Sequence, residues 1–176
     1  MEKRTALVVG VAFIVALFNG CQRGPRPSPA ASASCDLGGS KTITTNYSSP
    51  RMKGRKIYGD LVPFGKVWRA GANEATTFVT SSDLVVGGTT VTAGSYTLFT
   101  IPAAEKWTLI VNKKTGEWGI PYKYEKDELA RVDMKLSTLA TPVENFSISY
   151  NRFGTGCTLQ MDWETTRASV DLVPKR

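Results

Sequence analysis

The feature that most constrains this fold is the recurrence of short runs rich in Val, Ile, Thr and aromatic residues between turn residues. After residue 40, no segment keeps helical periodicity for the roughly 10–12 residues that a helix requires. Gly87-Gly88 between two such runs is typical of a tight hairpin. The pattern predicts an all-β fold, an antiparallel β-sandwich of about nine short strands. The runs cover residues 41–47, 75–80, 83–86, 89–92, 95–101, 106–112, 130–136, 145–150, 157–163 and 168–173. A short helix is expected only near residues 122–129, which are rich in Glu and Lys.

The N-terminus has the composition of an export signal. Lys3 and Arg4 precede an apolar run over residues 6–18, which is too short to span a bilayer. Gly20-Cys21 follows and resembles the lipobox of bacterial lipoproteins, although Phe18 and Asn19 depart from the usual residues. We therefore expect residues 1–20 to be a lipoprotein signal peptide and Cys21 to be acylated, so that the protein is anchored to a membrane. An ordinary secretory peptide and an uncleaved helix are the alternatives.

The next segment is rich in Pro, Ser and Ala and contains few bulky apolar residues. This composition predicts a flexible tether over residues 21–40, followed by the β-sandwich domain over residues 41–176; a start of the domain near Cys35 is the alternative.

Three cysteines occur, and acylation of Cys21 would leave Cys35 and Cys157 as a pair. Because exported proteins fold in oxidising compartments, we expect these two residues to form a disulfide bond. Two buried thiols are the alternative.

The composition excludes several kinds of catalytic site. His is absent, which removes Ser-His-Asp and Cys-His catalysis and every His-ligated metal site. Three cysteines are too few for a Cys₄ zinc or iron–sulfur site. We therefore expect no metal, no cofactor and no catalytic residues.

Residues 51–75 interrupt the alternating pattern with glycines, a proline and several aromatic residues. Residues 51–69 alone carry six cationic side chains and one anionic side chain, whereas the rest of the chain after residue 40 is electrically balanced. Charge confined to one segment indicates a partner more strongly than charge spread over a surface. The planar guanidinium groups of Arg can donate two hydrogen bonds to one anion, and glycines let backbone N–H groups approach it. Tyr58, Phe64 and Trp68 could stack on a sugar ring. A solvated loop is the alternative.

Four stretches resemble the bacterial secreted family known as domain of unknown function 2911. They read KGRKIYGDLVPFGKVWRAGANEATTF, AGSYTLFTIP, WTLIVNKKTGEWG and PVENFSISY, and the similarity covers roughly residues 41–150. The resemblance implies an exported bacterial envelope protein but no reaction, and it leaves the Cys157 segment outside. The matching positions are Arg51, Lys53, Gly54, Arg55, Gly59, Trp68, Arg69, Gly71, Asn73, Glu74 and Thr76.

These observations favour a lipid-anchored binding or structural module on the non-cytoplasmic side, in the periplasm or at the outer membrane. Its expected partners are the membrane and an anionic envelope glycan, a phosphate group or another protein, but not nucleic acid. The alternative is a carbohydrate-active enzyme that uses Asp60 and Glu74 as a carboxylate pair. We predict one connected ligand-binding surface formed by Arg51, Lys53, Arg55, Trp68, Arg69, Asn73 and Glu74.

Overall fold

The computed structural model describes residues 26–176. The predicted signal peptide and Cys21 therefore lie outside the described residues. The described part contains nine β-strands and one short 3₁₀ helix, Glu125–Asp127, within the stretch where a helix was expected. The strands are β1 Ala30–Gly38, β2 Lys41–Ser48, β3 Thr76–Thr80, β4 Leu84–Val86, β5 Thr89–Val91, β6 Gly94–Ile101, β7 Trp107–Asn112, β8 Glu128–Phe153 and β9 Gly156–Pro174.

All strand pairs are antiparallel, in the order β1-β2-β3-β6-β7-β8-β9-β4-β5. The long strand β8 pairs with β7 up to Met134 and with β9 from Lys135 onward. This change of partner turns the sheet back on itself, and β1 contacts β8 and β9. The predicted all-β, antiparallel, sandwich-like fold is confirmed. Two pairs of predicted strands are each part of one long strand, because β8 and β9 continue through residues 137–144 and 164–167.

The predicted tether over residues 21–40 is wrong in its C-terminal part, because Ala30–Gly38 is strand β1. The small residues of β1 pair with β2 across its length, and Cys35 and Leu37 are buried. Backbone pairing with a neighbouring strand satisfies the β1 peptide groups without many large side chains. The folded domain therefore begins before residue 41.

The predicted disulfide between Cys35 and Cys157 is confirmed, with a Cα–Cα distance of 6.6 Å. It joins β1 to β9, two strands that are not hydrogen-bonded neighbours in the sheet.

Alternation of side chains places one face of β3 in the core, whereas β6 and β7 are buried on both faces. In β3, Thr76, Phe78 and Thr80 are buried, whereas Val79 is exposed. Most of the buried apolar side chains form one large cluster that includes Trp107 and Trp163, and a second, smaller cluster contains Phe99 and Ile110.

Candidate functional site

Residues 51–74, which we call the basic segment, are attached to the sheet near both ends by backbone hydrogen bonds. Near the start, the Met52 N–H donates to the Glu144 carbonyl oxygen of β8 at 2.9 Å. Near the end, Trp68 and Thr100 of β6 exchange two bonds, at 2.7 and 2.8 Å. The cations between these attachments are therefore presented at defined places on the sheet.

A tight turn in the middle reverses the direction of the basic segment. Ile57 and Val62 are buried, and the Val62 N–H donates to the Ile57 carbonyl oxygen at 2.9 Å. Gly59 has a φ of +85°, and a Cβ there would lie 3.0 Å from the ring of Phe64. The turn therefore needs glycine both for its backbone conformation and for the close approach of Phe64.

Three residues of the basic segment adopt a left-handed backbone conformation although they are not glycine. Lys53, Ala70 and Asn73 have φ values of 50°, 48° and 57°. Such conformations cost roughly 1–3 kcal/mol each and persist only where surrounding contacts impose them. The shape of the basic segment is thus determined by its contacts with the sheet.

The basic segment lines a cavity of about 400 Å³, which we call the cationic cavity. Arg55, Lys66 and Arg69 contribute positive charge to its wall. Trp68 and Trp163 of β9 also line the cavity, and their rings stack on each other. Its volume falls in the range of about 300–1,000 Å³ that is typical of small-molecule sites.

A second, shallower space of about 390 Å³ adjoins the cationic cavity. Arg51, Lys53 and Arg55 line it, and Arg55 and Ser28 belong to the walls of both. Five cations thus surround two connected spaces.

Among residues 26–176, no acidic side chain lies in the walls of the two spaces. Within residues 26–176 there are five salt bridges, and none of them involves Arg51, Lys53, Arg55, Lys66 or Arg69. Two carboxylates lie nearby, since Glu144 Oε1 accepts the Lys53 backbone N–H at 2.9 Å and Glu74 acts on Arg69, but five cations outnumber them and leave a positive potential. The arrangement is therefore suited to an anion.

The two cavity arginines are oriented by backbone carbonyl groups. Arg55 donates from Nε to the Met52 carbonyl oxygen at 2.9 Å and from Nη2 to the Arg51 carbonyl oxygen at 2.7 Å. Arg69 donates from Nη1 to the Trp118 carbonyl oxygen at 3.0 Å. Partial burial lowers the pKa of Arg69, with nearby Glu74 acting in the opposite direction. An arginine guanidinium keeps its charge in proteins, so Arg69 remains a cation.

Trp68 is half-buried and belongs to the aromatic core as much as to the cavity. Its ring stacks on Trp163 with centroids 5.9 Å apart and meets Phe146 edge-on at 4.9 Å. Its Nε1 donates to the Gly71 carbonyl oxygen at 3.1 Å. Tyr58 and Phe64 were also predicted to stack on a sugar. Tyr58 is buried in the core. Phe64 is 45% exposed, but it lines a different, smaller cavity.

Asn73 and Glu74 face the chain that precedes β1 and line neither space. Asn73 Nδ2 donates to the Ser28 carbonyl oxygen and to Ser48 Oγ, both at 3.1 Å. Glu74 forms a 2.9 Å salt bridge with Arg26. A hydrogen bond within its own residue and the bond from Arg26 hold the pKa of Glu74 below its usual value. Through these contacts, Asn73 and Glu74 hold the chain before β1 against the basic segment, beside the cavity.

Neither member of the alternative carboxylate pair lines the cationic cavity. Asp60 is exposed on the turn after Ile57, and Glu74 is engaged by Arg26. The cavity does include Lys66, Leu61 and Ile120, which the predicted site omitted. Lys66 was already visible in the charge excess of the basic segment, whereas nothing in the sequence indicated that Leu61 or Ile120 would meet it.

In the part of the chain from residue 26 onward, no group of three or more acidic or Cys side chains could hold a metal ion. No helix in this part is both long and apolar enough to cross a membrane.

The fold and the cavity together define a disulfide-linked, all-β module with a confined cationic site. The chain belongs to the family described as protein of unknown function DUF2911, which matches residues 28–172. The match extends beyond the 41–150 range of the sequence resemblance and includes β1 and the Cys157 segment, which the resemblance had left outside. No curated protein matches the chain, and no solved structure does.

Proposed function

We propose that this protein is an exported, lipid-anchored module of the cell envelope that binds an anionic group in the cationic cavity. The observation that supports this most strongly is the convergence of Arg55, Lys66 and Arg69 on one cavity without a carboxylate in its wall. A purely structural loop has no need to gather like charges, because gathering them costs electrostatic energy.

The two arginines keep donors for a ligand after their backbone contacts are made. Among residues 26–176, Arg55 Nη1 and Arg69 Nε and Nη2 have no hydrogen-bond partner. Guanidinium groups held in this way can each give two parallel bonds to a phosphate or carboxylate. Lys66 adds a point charge at the same cavity.

The ligand chemistry is a phosphate or carboxylate carried on an envelope polymer. The cavity volume of about 400 Å³ accommodates one such group together with a single sugar ring. The partly exposed Trp68 offers an apolar surface of the kind on which sugars pack. An anionic glycan and a phosphate-bearing polymer share this chemistry.

The proposed location rests on the N-terminal sequence and the disulfide. A structural disulfide suits an oxidising compartment outside the cytoplasm. Acylation at Cys21 would then hold the domain at a membrane surface. Labelling of growing cells with a palmitate analogue tests this, since Cys21→Ser should remove the label. Label that persists in the variant contradicts acylation at Cys21.

Binding is tested by calorimetric titration with inorganic pyrophosphate and with trigalacturonate, using neutral maltotriose as the control sugar. We expect at least one of the two anions to bind, with an affinity that falls as salt increases, and maltotriose not to bind. Lys66→Ala should weaken binding several-fold, whereas Lys41→Ala, another exposed lysine that is outside the cavity, should leave it unchanged.

The double variant Arg55→Ala/Arg69→Ala should lower affinity by about ten-fold or more. Its matched control is Arg152→Ala/Arg176→Ala, two exposed arginines that do not line the cavity. If both double variants lose the same affinity, the loss comes from the change in net charge, and the proposed binding site is wrong. Absence of binding by both anions up to about 10 mM would overturn the proposed function.

A further inference from the structure

The opening of the cationic cavity carries exposed apolar side chains as well as cations. Leu61 and Ile120 both line the cavity and are 43% and 39% exposed. Trp118, which is 55% exposed, does not itself line the cavity but lies beside it, since the Arg69 guanidinium carbon is 5.0 Å from the centre of its indole ring. Single exposed apolar residues are common on proteins, but a group of them around one opening marks an interaction surface.

Apolar side chains, an exposed indole and cations that form no salt bridge within the described part of the chain together match the interface of an anionic bilayer. Trp is favoured at the depth of the lipid headgroups, and aliphatic side chains gain free energy when they leave water for the acyl boundary. Lys and Arg near such a surface are attracted to lipid phosphates. Soluble phosphate would use the cations alone and leave Leu61, Trp118 and Ile120 in water.

The covalent chain limits how far this opening can be from an anchor at Cys21. Arg26, which bridges Glu74, is five residues from Cys21. Five residues span at most about 18 Å, and Ser28 in the cavity wall is at most about 25 Å away. A protein acylated at Cys21 would therefore hold the cationic cavity close to the bilayer surface.

We propose that the opening of the cationic cavity docks on an anionic phospholipid bilayer. Leu61, Trp118 and Ile120 enter the interface, while Arg55, Lys66 and Arg69 contact lipid phosphates. The inference rests on the proposed function for its cations and for the anchor, and it adds the bilayer as the surface that the opening faces.

The test uses a chain from Gln22 to Arg176, which contains the whole described domain but neither Cys21 nor the apolar leader. Its sedimentation is measured with vesicles of phosphatidylcholine alone and with vesicles that also contain phosphatidylglycerol. We expect binding to the anionic vesicles only, and weaker binding as salt increases.

The apolar contribution is isolated by Leu61→Gln/Ile120→Gln, which leaves all cations in place. This variant should bind anionic vesicles about ten-fold or more weakly. Val79→Gln/Phe153→Gln is the matched control, because these residues are 40% and 41% exposed but do not line the cavity. It should bind as the unmodified chain does, and both variants should keep the melting temperature within a few degrees.

The outcomes separate this inference from the proposed function. Loss of vesicle binding in Leu61→Gln/Ile120→Gln, with vesicle binding retained in Val79→Gln/Phe153→Gln, supports bilayer docking. Vesicle binding that is unchanged in this variant, or equal in the two vesicle types, overturns docking by this opening. Absence of vesicle binding together with normal binding of a soluble anion overturns the docking and leaves the proposed function standing. If the chain binds neither vesicles nor a soluble anion, the bilayer docking and the proposed function are both wrong.

Discussion

Arg69 lies over the indole ring of Trp118 and also donates a hydrogen bond to the carbonyl oxygen of the same residue. The guanidinium carbon is 5.0 Å from the ring centroid, and the Nη1–oxygen distance is 3.0 Å. One cavity cation is thus fixed by a residue 49 positions away in sequence. The position of the charge depends on the loop after β7 as well as on the basic segment.

The cation–π contact should appear as an energetic coupling between Arg69 and Trp118. We expect a double-mutant cycle with Arg69→Ala and Trp118→Ala to give a coupling of about 0.5–1 kcal/mol in the free energy of unfolding. The hydrogen bond to the Trp118 carbonyl survives in Trp118→Ala, so the coupling reports the ring. Urea unfolding of the four proteins measures it, and strictly additive effects would show that the ring does not hold the guanidinium.

Asn73→Gly should loosen the chain before β1 without removing the anion site. Glycine accepts the φ of 57° but lacks the two bonds that Asn73 donates to Ser28 and Ser48. The Ser49 amide, which donates to the Pro29 carbonyl oxygen, should then exchange its hydrogen faster.

The Thr42 amide, which donates to Ser81 Oγ near the other end of β2, serves as the internal control for this exchange measurement. Anion binding should persist in Asn73→Gly. If the Ser49 amide of Asn73→Gly exchanges at the normal rate and the variant does not bind the anion, Asn73 contacts the ligand and is not a structural residue.

Removing the disulfide should lower the free energy of unfolding substantially. The bond between Cys35 and Cys157 closes a loop with a sequence separation of 122 residues. The chain-entropy treatment assigns about 5 kcal/mol to such a loop, and measured losses are about 2–5 kcal/mol. Cys35→Ala/Cys157→Ala is compared with the unmodified protein by urea unfolding, with the reduced protein as a second reference. A loss below about 1 kcal/mol would show that the bond constrains the unfolded chain little.

Glu128 should make stability depend on pH in the acid range. Bonds from Arg131, at 2.6 and 2.8 Å, hold the pKa of Glu128 below its usual value of 4.5, and a bond from Tyr122 adds to them. Because the folded pKa is lower than the unfolded one, the ionised carboxylate stabilises the fold above pH 4.5. This stabilisation is lost as the pH falls through the folded pKa.

Glu128→Gln should therefore be less stable than the unmodified protein at neutral pH, and the difference should shrink in acid. Midpoints of urea unfolding across the acid range measure the change. Glu105→Gln is the control, because Glu105 is exposed and makes no hydrogen bond within residues 26–176. A difference between Glu128→Gln and the unmodified protein that stays constant with pH would contradict the assignment.

The fold class was predictable because alternation and turn residues act locally. The run around Phe78 alternates directly in the sequence, and the one around Ile110 is nearly continuous in apolar residues, which also favours a strand. Strand β1 was missed because its small residues carry no hydrophobic signal, and its pairing with β2 depends on backbone bonds and on Cys35. Composition alone could not distinguish it from a tether.

The site was predictable in its charges but not in its boundaries. Arg55, Trp68 and Arg69 were identified by the local excess of charge and aromatic residues, and they do line one cavity. Asn73 and Glu74 are near in sequence but turn toward the chain before β1. Ile120 could not be placed there in advance, because its approach is set by the loop after β7 and by the sheet that supports it.

The four tryptophan indole N–H groups provide the most direct measurement of the central claim that an anion enters the cationic cavity. Trp68 and Trp163 line this cavity, Trp118 lies under Arg69, and Trp107 lines a different one. In a two-dimensional ¹H–¹⁵N spectrum recorded during titration with pyrophosphate or trigalacturonate, the Trp68 and Trp118 signals should move most and that of Trp107 least. Saturable binding in which Trp107 moves as far as Trp68, or in which the Trp68 and Trp118 signals stay fixed, would contradict the account.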